Sequence, residues 1–369
     1  MKQRIVVVSA FSGTGGIGRW LKLALPDLAR EFELRVVLKY GASELQHELG
    51  GAVAVEQAAL QSPARAFGAV PLWRAIRSHR ADLVLVHDPF SMLGLCLLRA
   101  FGLLRRTPLI VVVHSAASEF AHVAGWKRRV VQTAAALALG PLDCVVAVSH
   151  YVATHLQRTP LRRRRMRTLH NGVHSSPGAR MERPPVPPLT VAFVGRLSRE
   201  KGADRLAEVV SRLRDAPIEW HVAGAGALDH GMREALAADV TAGRVQLHGW
   251  VRDPAALLRG VHVLIVISRT EGCPFSVLEA HASGTLVLSL RVGGMPEALD
   301  DGAAGVLVED LDAMAAELRR LAAGGLSATA PLRQRAGELM RERYGFDAMI
   351  QRYSALIHEL VDDAGTRKP

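Results

Sequence analysis

The feature that most constrains this fold is a regular alternation of short β-branched runs with helical segments. Runs at residues 4–10, 144–149 and 261–267 are almost continuously apolar, as strands buried on both faces of a parallel sheet are. Helical segments separate such runs, and this alternation predicts parallel, doubly wound sheets. The pattern stops once, at residues 177–188, where five prolines exclude a helix or a central strand. We therefore predict an α/β chain with two units joined by a linker.

Length and composition fit two soluble α/β domains. The chain has 369 residues, and a hydrophobic content of 49% is enough for two cores. The first apolar run, residues 5–11, enters a glycine loop without a cleavage-type site, which favours a strand over a signal peptide. The three cysteines are isolated along the chain, which indicates free thiols in a reducing cytosol. The expected location is cytoplasmic.

The net charge of +11 favours anionic partners. Basic residues cluster at residues 105–106, 127–129 and 162–165 without interleaved aromatics, which argues against nucleic acid. The first two clusters adjoin Leu103-Leu104 and Trp126, so we expect salt-sensitive attachment to an anionic membrane surface, on the inner face. Solvated helix faces would show the same pattern, and this interpretation stays open.

A predicted strand, loop and helix at residues 261–284 carry two carboxylates. Glu271 lies in the loop with Gly272, and Glu279 lies in the first turns of a helix expected to begin near Ser276. Amides at a helix N-terminus bind phosphate, and carboxylates accept hydrogen bonds from sugar hydroxyls. The combination predicts a nucleotide-sugar site. Ser276-x-x-Glu279 also fits a capping box, in which Glu279 would only close the helix start.

Three further polar residues follow predicted strands. Arg196 and Lys201 come after the strand at residues 189–195, at the carboxyl edge where open α/β sheets bind ligands. Together they could neutralise a diphosphate, although ordinary loop charge would explain a lone lysine. His114 ends a strand in the first half of the chain, where a histidine is either catalytic or simply hydrogen-bonded.

Residues 13–18 match the pattern G-x-G-x-x-G between a strand and a helix, which favours a dinucleotide site. A site for NAD needs an acidic residue at the end of the second strand, where this chain has Lys39 and Tyr40. An NADP-linked oxidoreductase therefore remains the alternative function.

Five motifs occur in one order along the chain. They are the N-terminal glycine loop, Asn171-Gly172-Val173, Gly195-Arg196 with Lys201-Gly202, Glu271-x7-Glu279, and Gly293-Gly294-x-Pro296-Glu297. Together they resemble a retaining glycosyltransferase of family 4 (glycosyl transferases group 1), which has the GT-B fold. That fold implies two doubly wound, Rossmann-like domains facing a central cleft. The corresponding boundaries are an acceptor domain at residues 1–176, the linker at 177–188, a nucleotide-sugar domain at 189–344 and a helix in 345–369 that crosses back to the first domain.

The resemblance also implies roles for single residues. In catalysis it implies His114, Glu271, Arg196 and Lys201. For binding of the donor it implies Gly15, Gly16, Arg196, Lys201, Glu271, Gly272, Phe275, Ser276 and Glu279. No cofactor and no metal are implied, and Asp310-x-Asp312 is better interpreted as a helix cap.

The partners implied by the resemblance are a nucleotide-diphosphate sugar as donor and a glycan or lipid-linked acceptor. The activity would be that of a hexosyltransferase in the synthesis of envelope polysaccharide or glycolipid. His174 departs from the family pattern, which often has aspartate after Asn-Gly-Val, and this puts the conformation of that turn in doubt.

Overall fold

The computed structural model describes residues 2–11, 15–40, 42–51, 53–58, 69–104, 107–115, 142–174 and 187–366. The glycine at position 13, the basic residues 105–106 and 127–129 and most of the proline-rich segment lie outside these residues. So does the segment 126–139, for which the sequence predicts a helix with a basic first turn. The chain forms two compact units. One comprises Met1–His170 with Met349–Pro369, and the other comprises Asn171–Ala348.

The first unit is built on a seven-stranded parallel sheet, with the order β3-β2-β1-β4-β5-β6-β7. Its strands are β1 (Arg4–Phe11), β2 (Glu33–Tyr40), β3 (Ala54–Gln57), β4 (Leu83–Val86), β5 (Leu109–Val113), β6 (Cys144–Ala147) and β7 (Met166–Thr168). Its helices are α1 (Gly16–Glu31), α2 (Ala42–Glu48), α3 (Ala69–Ser78), α4 (Pro89–Ala100) and α5 (His150–Leu156).

The central strands of this sheet are the apolar runs seen in the sequence. All four residues of β4 and of β6 are buried, as expected for strands with helices on both faces of the sheet. The outer strands β3 and β7 are only partly buried, and the sequence analysis missed both because neither has a continuous apolar run. Helix α5 was missed because it is only seven residues long and rich in residues of low helix propensity.

The second unit is built on a six-stranded parallel sheet, with the order β10-β9-β8-β11-β12-β13. Its strands are β8 (Leu189–Val194), β9 (Ile218–Ala223), β10 (Val245–Gly249), β11 (Val263–Val266), β12 (Leu286–Leu290) and β13 (Val306–Val308). Its helices are α6 (Ala203–Ser211), α7 (Asp229–Ala235), α8 (Ala237–Thr241), α9 (Pro254–Arg259), α10 (Phe275–Ala282), α11 (Met295–Ala298), α12 (Leu311–Arg320) and α13 (Ala330–Glu342).

Two details of the second unit differ from the expectation. The sequence predicts one helix over residues 229–242, whereas the structure has two, α7 and α8, divided at Leu236. Helices α9 and α11 were not predicted, because six and four residues are too few to show helical periodicity. The doubly wound architecture itself is confirmed in each unit.

The last helix, α14 (Phe346–Thr366), contains the division between the units, and its residues from Met349 onwards belong to the first. There Ser354 donates a hydrogen bond to the Glu31 carboxylate over 2.6 Å. The spacing of apolar residues in the sequence predicts that one stripe of this helix is buried: Ile350, Tyr353, Leu356, Ile357 and Leu360. The last four are buried, whereas Ile350 is only half-buried and Met349 is buried beside it. No helix among the described residues is long and apolar enough to span a membrane.

Strand order locates the candidate sites. In each sheet the order reverses beside one central strand, between β1 and β4 in the first unit and between β8 and β11 in the second. Loops that leave neighbouring strands at such a point diverge to opposite faces and open a crevice at the carboxyl edge, where α/β folds bind ligands.

Candidate functional site

An ion pair joins the two loops at the reversal point of the second unit. Lys201, after β8, lies 2.7 Å from each carboxylate oxygen of Glu271, after β11. The hydroxyl of Ser268 donates a further hydrogen bond to Glu271 Oε1 over 2.6 Å. The structure therefore brings together two predicted site residues that stand 70 positions apart in the chain.

Burial explains why this carboxylate is so closely held. Glu271 is only 6% exposed, and an unpaired charge at such a position costs several kcal/mol. The sequence analysis assigned Lys201 to a diphosphate and Glu271 to a sugar, without connecting them. An ammonium group has three N–H donors, and Glu271 uses two of those of Lys201, so the third can reach a ligand.

A backbone hydrogen bond, an ion pair and a close glycine contact fix the distance between the same two loops. The amide of Arg269 donates to the carbonyl of Glu200 over 2.8 Å, and its guanidinium binds both carboxylate oxygens of Asp204 at 2.7 and 2.8 Å. The hydrogen bond from Arg269 holds the pKa of Asp204 below its usual value. Gly202 has a φ of +75°, and a Cβ there would lie 2.0 Å from the carbonyl oxygen of Ile267. Only glycine permits this approach.

A glycine pair supports the loop from the next strand. The amide of Gly294, after β12, donates to the carbonyl of Glu271 over 2.9 Å. A Cβ on Gly293 would lie 2.3 Å from that same carbonyl oxygen, and one on Gly294 would lie 2.0 Å from the carbonyl oxygen of Gly272. The sequence analysis used these glycines only as part of a motif. In the structure they are the surface on which the Glu271–Gly272 backbone rests.

Asn171 holds the same loop through its side chain. Its amide nitrogen donates to the carbonyl of Cys273 over 2.8 Å, and the residue is 3% exposed. Asn and Gly both favour turns, so the sequence alone explains Asn171-Gly172 as a turn without any distant contact. The structure adds a contact to the loop just before α10, which sequence could not indicate because the two residues are 102 positions apart.

Helix α10 begins one residue earlier than expected, and this decides how Glu279 is interpreted. Its N-cap is Pro274, and no side chain caps its first turn. Ser276 is therefore inside the helix, so the capping-box interpretation of Ser276 and Glu279 is wrong. Glu279 is 4% exposed and lies in the second turn. The helix ends at Ala282 and is closed by a Schellman motif, in which Gly284 (φ +65°) and Thr285 donate hydrogen bonds to the carbonyls of His281 and Ala280 respectively.

The other residues of the second unit that were predicted to bind the donor follow β8 or β11, at the carboxyl edge of the same sheet. Gly272 and Phe275 are buried and Ser276 is half-buried; Phe275 and Ser276 are the first two residues of α10, and Gly272 lies in the loop before it. Arg196 follows β8, has a side chain that is 47% exposed and contacts Glu200 at 3.2 Å. Asp310 accepts a hydrogen bond from the amide of Ala313 over 2.8 Å, which confirms the predicted helix cap.

Two histidines meet at the carboxyl edge of the first sheet. Nε2 of His114, after β5, lies 2.9 Å from Nδ1 of His87, after β4, and the rings are stacked with centroids 5.2 Å apart. Burial lowers the pKa of His114 to about 4 and holds that of His87 well below its usual value. Both imidazoles are therefore neutral at pH 7. The sequence analysis predicted His114 but missed His87.

Gly15 and Gly16 lie at the start of α1, on the other side of the strand-order reversal. Gly15 is the N-cap and Gly16 the first residue of the helix. A Cβ on either would meet no described atom within 4 Å.

Comparison with known proteins covers both halves of the chain. The family described as "Glycosyltransferase Family 4" matches residues 14–176, and "Glycosyl transferases group 1" matches residues 188–323. A D-inositol 3-phosphate glycosyltransferase of Geodermatophilus obscurus is 33% identical over 190 residues, which are 47% of this chain and 42% of that protein. The aligned part is thus less than half of that relative.

Two further likenesses extend over more of the chain. An uncharacterised 41.2 kDa protein in the cps region of Klebsiella pneumoniae is 23% identical over 251 residues, 65% of this chain and 68% of that protein. The crystal structure of HepE from Anabaena in complex with UDP superposes with a TM-score of 0.76, covering 97% of this chain and 100% of that one. With 16% sequence identity, this last likeness shows the fold alone.

Proposed function

We propose that this chain, which belongs to the glycosyltransferases of family 4 and group 1, transfers a sugar from a nucleoside diphosphate to a hydroxyl group with retention at the anomeric carbon. The acceptor in this proposal is a glycan or a lipid-linked sugar. The observation that carries the proposal is the Lys201–Glu271 pair beside the N-terminus of α10.

The two partners of that pair match the two parts of such a donor. The diphosphate meets the ammonium of Lys201, the exposed guanidinium of Arg196 and the first amides of α10. Those amides carry the positive end of the helix dipole, which attracts phosphate. The carboxylate of Glu271 accepts hydrogen bonds from hydroxyls of the sugar, and buried Glu279 accepts them from the ribose.

The chemical step is a substitution on one face of the sugar. The acceptor oxygen bonds to the anomeric carbon from the side on which the bond to the diphosphate oxygen breaks. The departing phosphate takes the proton of the attacking hydroxyl, so no side chain is consumed. Arg196, Lys201 and the α10 amides stabilise the negative charge that grows on the diphosphate, while Glu271 fixes the position of the sugar.

One structural neighbour suggests a donor for this proposal. HepE was crystallised with UDP, which makes a uridine diphosphate donor the first to test. For the acceptor we keep the class that the family resemblance implies, a glycan or lipid-linked sugar of envelope polysaccharide or glycolipid. Such acceptors would be met at the cytoplasmic face of the membrane.

A thermal-shift panel of UDP, GDP, ADP and NADP tests the proposal. A ligand present at about 100 times its dissociation constant adds roughly 2.7 kcal/mol to stability. We expect one nucleoside diphosphate to raise the melting temperature and NADP to have no effect. Stabilisation by NADP alone would support the alternative function, an NADP-linked oxidoreductase that uses the glycine loop at residues 13–18. Most of that loop lies within residues 14–176, which match family 4.

Transfer should not depend on a divalent metal. In the proposed site, cationic side chains and helix amides neutralise the charge of the diphosphate. In metal-dependent sites a divalent cation neutralises that charge. We expect full activity in excess EDTA. Loss of activity that manganese restores would show that the diphosphate is bound by another site.

Attachment to anionic membranes is the remaining expectation, and the first unit offers one apolar surface for it. Three apolar side chains at and just after the end of α4 are exposed: Phe101 (80%), Leu103 (48%) and Leu97 (40%). This segment comes directly before the basic pair Arg105-Arg106 in the sequence. Leu104, in contrast, is buried. Interfacial binding combines apolar insertion with attraction to anionic lipid.

Phe101→Ser should therefore weaken flotation with anionic liposomes at low salt. The control is Val240→Ser, at an apolar position in the second unit that is 38% exposed. Failure of the unmodified protein to float with the liposomes would end the membrane proposal.

A further inference from the structure

Four polar side chains lie on one face of the strand pair β9–β10, at the edge of the second sheet. Glu219 and His221 alternate along β9 with residues of the hydrophobic core. The side chain of Glu219 contacts that of Gln246 in β10, and His221 contacts His248. The two residues of β9 are half-buried and the two of β10 are exposed. Solvent and small solutes therefore reach this face.

A β-bulge directs the side chain of His248 towards β9. The residues before and after it in β10, Leu247 and Gly249, pair with consecutive residues of β9, so His248 is an extra residue between them. Gly249 has a φ of +64°, a conformation that favours glycine. Bulges are uncommon between parallel strands, and they re-aim a side chain where they occur. Here Nε2 of His248 lies 3.0 Å from Nδ1 of His221.

The two imidazole rings meet through these nitrogens. Their planes differ by 11°, and the 5.3 Å between the ring centroids exceeds the distance between the nitrogens by roughly the width of one ring. The two nitrogens therefore lie close to the line between the ring centres and face each other. One of them carries the proton of the hydrogen bond, and the other offers its lone pair.

The carboxylate of Glu219 indicates which nitrogen has the lone pair. Its Oε1 lies 3.6 Å from Nε2 of His221 and accepts a hydrogen bond from the amide of Gln246 over 2.5 Å. The negative charge favours a proton on Nε2, which leaves Nδ1 of His221 with its lone pair towards His248. Histidines that bind metals in proteins are arranged in this way, with one nitrogen on the ion and the other directed at a carboxylate.

We propose that His221 and His248 form a binding site for a divalent transition-metal ion such as Zn²⁺ or Ni²⁺, with Nδ1 of His221 and Nε2 of His248 as ligands. Imidazole nitrogens suit these ions, and water completes the coordination. Zn–N bonds of about 2.0–2.1 Å place two ligand nitrogens of a tetrahedral ion about 3.3 Å apart. The exposed ring of His248 can tilt to reach that distance. The bridging proton moves to Nδ1 of His248, so both rings stay neutral.

This metal site is separate from the proposed diphosphate site. β9 lies between β10 and β8, and the loop after β8 carries Arg196 and Lys201. The proposed function assigns none of the four residues on this face to the donor. Removal of the ion with EDTA should therefore leave turnover unchanged, and the metal site does not depend on the proposed function.

Titration calorimetry with ZnCl₂ on the EDTA-treated and dialysed protein tests the site. We expect His221→Ala and His248→Ala each to remove one binding event, and the double variant to lose nothing further, because both residues hold the same ion. Glu219→Gln removes the charge behind His221 and should weaken binding by about ten- to a hundredfold. The control is His230→Ala, since His230 is also a surface histidine of the second unit, with a side chain 88% exposed and a glutamate 3.2 Å away. It should bind Zn²⁺ as the wild type does.

Electron paramagnetic resonance with Cu²⁺ as the probe identifies the ligands directly. We expect coupling to two imidazole nitrogens in the wild type and the loss of this signal in His248→Ala. Equal Zn²⁺ binding by the wild type and His248→Ala, or an equal loss in His230→Ala, would overturn the proposal. Arg196→Ala should bind Zn²⁺ as the wild type does. A failure of UDP binding would count against the proposed function and not against this site.

Discussion

Glu271→Gln should lower turnover by about a hundredfold and leave the affinity for nucleoside diphosphate within a few fold. The carboxylate receives three hydrogen bonds, two from Lys201 and one from Ser268, and the loop backbone beneath it is fixed by Gly293 and Gly294. Glutamine keeps the size and one acceptor but removes the charge. The sugar is then held less precisely, and a displacement of about 1 Å can cost a factor of about a hundred in rate.

The matched control for this substitution is Ser268→Ala. It removes one of the three hydrogen bonds to Glu271 and leaves both contacts with Lys201 in place. Its effect on turnover should be clearly smaller than that of Glu271→Gln. Equal losses of turnover and nucleotide affinity in Glu271→Gln would mean that the carboxylate acts on the diphosphate through Lys201. Wild-type turnover would exclude Glu271 from the reaction.

Gly294→Ala should have the second large effect, with turnover reduced by about a hundredfold and stability by about 1–3 kcal/mol. A Cβ at this position would lie 2.0 Å from the carbonyl oxygen of Gly272. A backbone atom cannot rotate away as a flexible side chain can, so the loop that carries Glu271 has to move. The loss in rate therefore comes from the displaced carboxylate, and the loss in stability from the strained contact.

Gly231→Ala is the control for Gly294→Ala, because it makes the same chemical change where there is room. Gly231 lies inside α7, and a Cβ there would meet no described atom within 4 Å. Alanine is the better helix former, so stability should rise by up to about 1 kcal/mol with unchanged turnover. Chemical unfolding and steady-state kinetics on both variants give the comparison. A fully active Gly294→Ala would show that the position of the loop does not matter.

The elements that sequence predicted well are those with a local signal. Central strands such as β8 and β11 are continuous apolar runs, and their ends were predicted to within two residues. The edge strands β3 and β7 have no continuous apolar run. They are strands because they pair with β2 and β6, and their own composition does not indicate it. Short helices such as α9 lack a local signal because one or two turns show no periodicity.

For the candidate site as well, the sequence predicted what depends on local signals and not what depends on contacts between distant residues. Arg196, Lys201 and Glu271 could be selected because each follows a predicted strand at the carboxyl edge of a sheet. Which of them touch could not be predicted, because that depends on strand order and register. The ion pair of Lys201 with Glu271 and the hydrogen bond of Asn171 to Cys273 connect residues 70 and 102 positions apart. His87 was missed for the same reason, since its partner follows the next strand of the sheet.

Titration calorimetry with UDP, or with the diphosphate that the thermal-shift panel selects, tests most directly whether the loop after β8 binds the diphosphate of the donor. Arg196→Ala is compared with Arg320→Ala. Both arginines have side chains that are nearly half exposed (47% and 49%), and each is paired with one nearby glutamate. Arg320, however, lies on the last turn of α12, far along the chain from any proposed ligand-binding residue.

We predict that Arg196→Ala weakens nucleoside diphosphate binding by about tenfold or more, the scale of a lost charged hydrogen bond. Arg320→Ala should bind as the wild type does. Equal affinity in the wild type and Arg196→Ala would contradict the proposed position of the diphosphate.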